Sequence, residues 1–350
     1  MEKIKKNPLS LQPDLSLFEP ATLEERESLN VMRPSIGFWQ DGLRRLRKNS
    51  VAMVSLIAIV IILFIAFIVP TFYPYDYKTQ DKSAGNLAPM AYSKAEQARI
   101  DAGEFVMPHL IGTDNLGRDL AVRIMIGSRI SITVGLVASA IIMIIGTIIG
   151  AVSGYFGGLV DQIIMRIVDM IYTVPDLVII ILLYAILRVP LKELADSVKA
   201  FEWIGTIGVG LISIFIVFSL LYWVGMSRIV RGQILSLKEQ EYVTAARALG
   251  ASSGRIISKH LIKNSIGIII VTTTLQIPSA IFTETFLSFI GLGVAAPMSS
   301  LGSLASDGLA GLYTYPHRLL APALMIALII LAFNLFGDGL RDAFDPKLRK

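Results

Sequence analysis

Gly250-Ala251-Ser252-Ser253-Gly254 fits G-x-S-x-G, the pattern that sets a nucleophilic serine on a strained turn between a strand and a helix. Hydrolysis at such a turn needs a buried strand before it, and an acid and a histidine brought to the hydroxyl. Residues 241–249 read instead as an alanine-rich helix stopped by Gly250. Ser252 or Ser253 then caps a second helix starting at Gly254. Two short helices meeting at a glycine make a compact projection, with Tyr242, Ala246 and Leu249 sharing one face of the first. Other reactive chemistry is scarce. The three histidines, His109, His260 and His317, are far apart in sequence, and there is no cysteine. H-E-x-x-H metal sites, thiolate sites, disulfides and thiol nucleophiles are therefore excluded, and no catalytic or metal-binding residue is expected. No G-x-x-x-x-G-K-[ST] occurs, so ATP hydrolysis would have to come from another polypeptide.

The remaining chemistry is polar groups placed inside apolar runs. Arg166, Asp169, Pro175 and Asp176 interrupt the run 163–187, Gln276 and Glu284 lie in 266–290, and Asn334 lies in 319–336. Ionisable groups in such runs are costly and point to a polar pathway or a coupling role, unless each is a partnered structural group. Asp169, Asp176, Gln276, Glu284 and Asn334 are the candidates for one or the other. Pro175 should bend its run. Gly146, Gly150 and Gly154 form two overlapping G-x-x-x-G steps, a small-residue face that lets a second helix approach closely.

The elements that carry these residues follow from hydropathy. Of the 350 residues, 54% are hydrophobic and 17% charged, against about 25% charged in soluble domains. Six runs, 51–70, 130–152, 163–187, 203–226, 266–290 and 319–336, each approach the roughly 20 residues that cross a bilayer core. The expected fold is an all-α integral membrane protein with six transmembrane helices. Arg44, Arg45, Arg47 and Lys48 precede the first run, seven Lys and Arg residues fall in 227–263, and Arg341, Lys347, Arg349 and Lys350 follow the last. The positive-inside rule then puts both termini and 227–263 in the cytoplasm. Arg118, Arg123 and Arg129 fall on the outer side and fit that rule less well. The net charge of +5 thus serves membrane orientation, with lipid rather than nucleic acid as the partner.

No signal peptide is expected at the charged start, so the first run should remain as an anchor. The organisation expected is a cytoplasmic tail 1–50 with an interfacial helix, a first transmembrane helix 51–70, an extracytoplasmic insert 71–128, a five-helix core 129–340 with a cytoplasmic loop 227–263, and a cytoplasmic tail 341–350. Phe38, Trp39, Leu43 and Leu46 give the interfacial helix its apolar face. Phe72, Tyr73, Tyr75 and Tyr77 suit an outer aromatic belt. Ser93 to Glu96 matches a capping box, with Gly103 closing the short helix it starts.

The run Glu241-Tyr242-Val243-Thr244-Ala245-Ala246-Arg247-Ala248-Leu249-Gly250 resembles the E-A-A motif of ABC-importer permeases. Gly112-Thr113-Asp114-Asn115-Leu116-Gly117-Arg118-Asp119, Glu284 to Gly293, and Asn334 to Asp342 with Asp345-Pro346 extend the likeness. From Phe38 onward the chain resembles the C-type permease subunit of oligopeptide and dipeptide importers. It departs at Thr244, a glutamate in the family, at Lys263, usually proline, and at Leu301, commonly tryptophan.

The resemblance implies a type I ABC-importer permease in the plasma membrane of a prokaryote. Its partners would be a homologous B-type permease, two ABC ATPase subunits and an extracytoplasmic peptide-binding protein. No cofactor would bind this chain, ATP and Mg belonging to the ATPases. Glu241, Tyr242, Thr244, Ala245, Ala246, Leu249 and Gly250 would form the helix that docks on an ATPase. The same architecture also imports nickel and other small solutes. An ion-driven secondary transporter is the reading from another class, but the chain lacks the visible inverted repeat such proteins usually have.

Overall fold

The computed structural model describes residues 37–294 and 298–344. Residues 1–36 of the expected tail 1–50, and residues 345–350 of the expected tail 341–350, lie outside the described residues. The described chain is helical, with isolated bridges only at Ala91–His109 and Thr113–Asp119. Its main helices are α1 (Phe38–Lys48), α2 (Ser50–Phe67), α3 (Lys94–Asp101), α4 (Leu120–Phe156), α5 (Gly158–Tyr172), α6 (Asp176–Ser197), α7 (Val209–Leu221), α8 (Trp223–Leu237), α9 (Glu241–Ala248), α10 (Ser253–Phe289), α11 (Leu301–Leu309) and α12 (His317–Phe344). Five helical spans are long and apolar enough to cross a membrane: α2 with its short extension, α4, α7–α8, α10 and α12. The pair α5–α6, bent by 88° at the turn before Asp176, where Pro175 breaks the helix, makes a sixth if it crosses as one broken span.

Several boundaries differ from the hydropathy reading. Helix α4 begins at Leu120, well inside the expected insert, because Asp119 caps it by accepting from the Val122 N–H at 2.9 Å. Its 37 residues span about 55 Å, far more than a bilayer core of roughly 30 Å. Arg123 and Arg129 therefore sit on a helix rather than in a loop. Arg129 donates to the carbonyls of Ala66 and Phe67, the open end of α2, at 3.0 and 3.2 Å. The fourth span starts at Val209 rather than 203, since Gly208 at φ +106° breaks the chain there.

Helix α10 is not a short cap-and-turn element. It passes through a π-helical stretch, Ile256–Ile262, and continues to Phe289, there being no glycine or proline between Arg255 and Ile266 to stop it. Ser252 takes the cap position with extended backbone, but its hydroxyl makes no capping bond. Helix α12 runs past 336 through residues assigned to the last tail. Its glycines allow close approach rather than a stop: a Cβ on Gly337 would lie 2.7 Å from the Leu275 side chain, and one on Gly339 would overlap the Ala52 side chain.

Outside the spans, Ser93 and Glu96 form the capping box of α3, and Gly103 at φ +89° ends that helix. Phe72 is exposed, but Tyr73 and Tyr75 turn into the insert rather than toward a lipid belt. Tyr75 stacks on His109 at 4.3 Å and bonds to the Met107 carbonyl, because the insert offers polar partners that lipid does not. Only part of α1's apolar face is free. Phe38 and Leu46 pack at the end of α12, with Phe344 5.4 Å from Phe38; Trp39 meets the same Phe344 ring edge-on at 5.6 Å but stays half exposed, and Leu43 is exposed.

Helix α4 is the spine of the bundle and packs most extensively on α8. Gly146, Gly150 and Gly154 face Met226, Ser227, Val230, Arg231 and Ile234. A Cβ on Gly150 would stand 2.5 Å from the Ser227 carbonyl oxygen, which is backbone and cannot swing away. Gly150→Leu is expected to cost about 1–3 kcal/mol through forced separation of the helices. Gly232→Leu on α8, where a Cβ meets nothing within 4 Å, should be near neutral. Thermal unfolding of the two variants in detergent checks the difference.

Candidate functional site

Helix α9 projects at the end of the bundle where α8 ends and α10 begins. Val243 is fully buried in a cluster with Ile234, Ile256 and Leu261, with Ala246 and Ala251 packed beside it. Glu241, Tyr242, Thr244, Ala245 and Leu249 face out, Leu249 being 89% exposed. The face turned to the protein is thus Val243 and Ala246. Tyr242 is tethered at its tip, its hydroxyl accepting from Asn264 Nδ2 at 3.1 Å.

The helix ends in a Schellman turn. Gly250 N–H donates to the Arg247 carbonyl and Ala251 N–H to the Ala246 carbonyl, both at 3.0 Å, with Gly250 at φ +78°. Ser252 and Ser253 are exposed on this helix-to-helix turn, and no strand precedes it among the described residues. No nucleophile elbow forms. A rigid, outward-facing, mostly small-residue element without reactive groups can bind a partner and do no chemistry.

The polar candidates do not form one group. Asp176 and Gln276 meet across a cavity of about 570 Å³ lined also by Tyr172, Pro175, Tyr222 and Ser279. Gln276 also borders a second cavity of about 360 Å³ that reaches Arg341. Asp169 is exposed and pairs with Arg228 at 2.7 Å, whose guanidinium lies 4.6 Å from the Tyr172 ring centre. Glu284 is fully buried and lines neither cavity; Ser131 and Ser288 each donate to it at 2.7 Å. Both of its carboxyl oxygens are thus partnered by serine hydroxyls. Asn334 is exposed on α12 and also lines neither cavity.

Two further features had no signal in local spacing. Asp161 receives Arg231 on both oxygens at 2.5 Å and Ser153 on Oδ1 at 2.5 Å, fixing α5 to α8 and α4. In the insert, His109 lies between Asp119 at 2.8 Å and Glu96 at 3.2 Å, under the Tyr75 ring. Burial pushes the His109 imidazole down, but the Asp119 hydrogen bond and the Glu96 and Asp119 charges outweigh it and leave the pKa raised. A raised folded value means the stabilisation is complete below the ordinary histidine pKa of about 6.5 and is lost as pH rises through the folded value. Exchange of the Met90 and His109 amides, bonded across the bridge at 2.8 and 3.4 Å, should speed up over that range beyond the intrinsic base effect. His109→Gln should remove the extra dependence.

The sequence matches the family model described as "Binding-protein-dependent transport system inner membrane component" over residues 146–350. It matches the "N-terminal TM domain of oligopeptide transport permease C" over residues 37–89. The oligopeptide transport system permease protein OppC of Bacillus subtilis is 42% identical over 335 residues, covering 96% of this chain and 98% of that protein. The dipeptide transport system permease protein DppC of the same organism is 42% identical, covering 93% and 91%. OppC of Escherichia coli K12 is 37% identical, covering 96% and 99%.

Proposed function

This chain belongs to the family of inner-membrane components of binding-protein-dependent transport systems, and on that premise we propose how it serves an ATP-driven importer of oligopeptides or dipeptides. It is a multi-pass, non-catalytic membrane subunit, and ATPase and binding-protein partners supply energy and solute. One observation carries the peptide reading: near full-length identity to oligopeptide and dipeptide permeases of similar size.

In the finer picture, a homologous B-type permease forms the other half of the passage and two ATPase subunits bind the pair. Helix α9 docks on one of them through Glu241, Tyr242, Thr244, Ala245 and Leu249, with Val243 and the Gly250 turn holding it at a fixed angle. That places α9 and both termini in the cytoplasm. Asp176 and Gln276, which share a cavity, are the candidates for contact with passing solute. Alternating access follows if ATP and the loaded binding protein favour different states of the permease pair.

Uptake of labelled peptides of graded length, with labelled nickel alongside, in cells lacking this chain and in cells with it restored, tests the proposal. Peptide uptake should vanish, return on restoration and follow cellular ATP rather than the proton gradient. Loss of nickel uptake with peptide uptake intact would leave the architecture standing and overturn the substrate.

A further inference from the structure

Helix α6 continues to Ser197, ten residues past the end expected from hydropathy. That extension carries Arg188, Lys192 and Asp196. Together with Tyr77 and Lys78 after α2, the start of α7, and Gly293, Val294 and Met298 after α10, it encloses a cavity of about 560 Å³. The cavity lies at the end of the bundle opposite α9, since α7 begins there and α10 ends there.

Its floor is fixed. The Tyr184 hydroxyl, on a buried side chain, donates to the Gly293 carbonyl at 2.9 Å. A Cβ on Gly210 would stand 2.5 Å from that same carbonyl oxygen, so backbone packs on backbone. The wall is cationic. Positions 184, 188, 192 and 196 follow at helical spacing, so Arg188 and Lys192 lie on the side that Tyr184 turns to the cavity. Lys78 comes from across it, its ammonium 5.2 Å from the Tyr77 ring centre.

Three cations thus share one concavity with a single carboxylate, Asp196, and no ion pair joins any of them to a carboxylate among the described residues. Like charges held near protein walls repel one another more than in open water, and an anion among them relieves that. Arginine and lysine side by side suit a carboxylate, the guanidinium by its two parallel N–H groups. The volume falls within the roughly 300–1,000 Å³ of small-ligand sites, enough for the end of a peptide but not for a protein domain.

We propose that this cavity is a subsite for the terminal carboxylate of the incoming peptide, held by Arg188 and Lys192 at the outer end of the passage. The proposal rests on the peptide-importer reading. A carboxylate side chain of the binding protein offers the same chemistry, so the test separates the two sources.

The complete importer is reconstituted in vesicles with saturating binding protein, and transport of one peptide is compared with that of its C-terminal amide. The wild type should carry the free acid roughly tenfold faster, the factor that hydrogen bonds to a charged group supply. Arg188→Gln with Lys192→Gln should bring the acid down to the rate of the amide and leave the amide unchanged. Lys78→Gln, outside α6, should give a smaller shift in the same direction and serves if the double variant does not assemble. An unchanged preference for the acid overturns the subsite. So does an equal slowing of both peptides together with a higher binding-protein concentration for half-maximal ATPase stimulation, which assigns the carboxylate to the binding protein. Transport of neither peptide by the wild type, with ATPase activity intact, fails the peptide reading itself and the subsite with it.

Discussion

Uptake through an importer carrying Gly250→Asp is expected to fall by roughly tenfold or more, the factor that about 1.4 kcal/mol of lost docking free energy gives. Gly250→Asn should keep most of the wild-type rate. Gly250 sits at φ +78°, with nothing within 4 Å of where a Cβ would stand. Space is therefore no obstacle, and the only local cost is the left-handed backbone. Asparagine and aspartate adopt that conformation more readily than other non-glycine residues, so both variants keep the Schellman turn and the set of α9. They differ by one charge on the surface proposed to dock. A carboxylate desolvated at an interface without a partner is costly, while an amide of the same shape costs less. Uptake and ATP hydrolysis measured together in vesicles read the effect as a changed ratio of the two. If Asp transports as well as Asn, Gly250 lies outside the docking surface and α9's role has to be sought elsewhere.

The parts of this chain that were legible in its sequence are those whose cause is local. The turn at Gly250 needs only an alanine-rich helix followed by the one residue that takes positive φ freely. The capping box of Ser93 and Glu96 is contained in four residues, and the bend before Asp176 in one proline. The buried side of α9 was not legible, because eight residues allow two equally good stripes. Tyr242, Ala246 and Leu249 make one, and Val243 with Ala246 the other. Ile256 and Leu261, on the following helix, decide between them.

Helix ends beyond the bilayer were hidden for a related reason. Hydropathy reports where apolar runs stop, not where helices stop, so the charged extension of α6 and the first turns of α4 carried no signal. Gly337 and Gly339 likewise gave no sign that they are contact points for Leu275 and Ala52. Among the polar candidates, spacing could not pair Asp176 with Gln276, which a cavity lined by α5, α6, α7, α8 and α10 brings together. Nor could it show that the cost of Glu284 in a span is met by two serine hydroxyls, one of them 153 residues away. The proposal that α9 is a coupling element comes from family resemblance. Its residues alone show an exposed helix without reactive groups.

The largest expected loss of stability is at Asp114. Its Oδ2 accepts from Arg118 Nε at 2.7 Å and from Arg123 Nη1, and its Oδ1 accepts from the backbone N–H groups of Leu116 and Arg118 at 2.8 and 3.0 Å. All three side chains are buried, and the nearest other carboxylate to Arg123 is Asp307 at 3.8 Å. Asp114→Ala would leave two buried guanidinium groups with one looser, half-exposed counter-charge, Asp307, at a cost of about 3–5 kcal/mol. Against a net stability of about 5–15 kcal/mol for a typical fold, that should collapse the seat of α4 in the insert and remove most of the chain from the membrane fraction. Asp114→Asn keeps the two backbone bonds through its carbonyl oxygen and should fall between. The triple change Asp114→Leu, Arg118→Met, Arg123→Met removes charge and counter-charges together and should recover much of the loss. Thermal unfolding in detergent orders the four proteins. Wild-type melting of Asp114→Ala would show that water or lipid headgroups already reach this cluster. The two large effects also part cleanly in one assay: Asp114→Ala lowers the number of assembled importers and leaves uptake per ATP hydrolysed unchanged, whereas Gly250→Asp leaves the number unchanged and lowers that ratio.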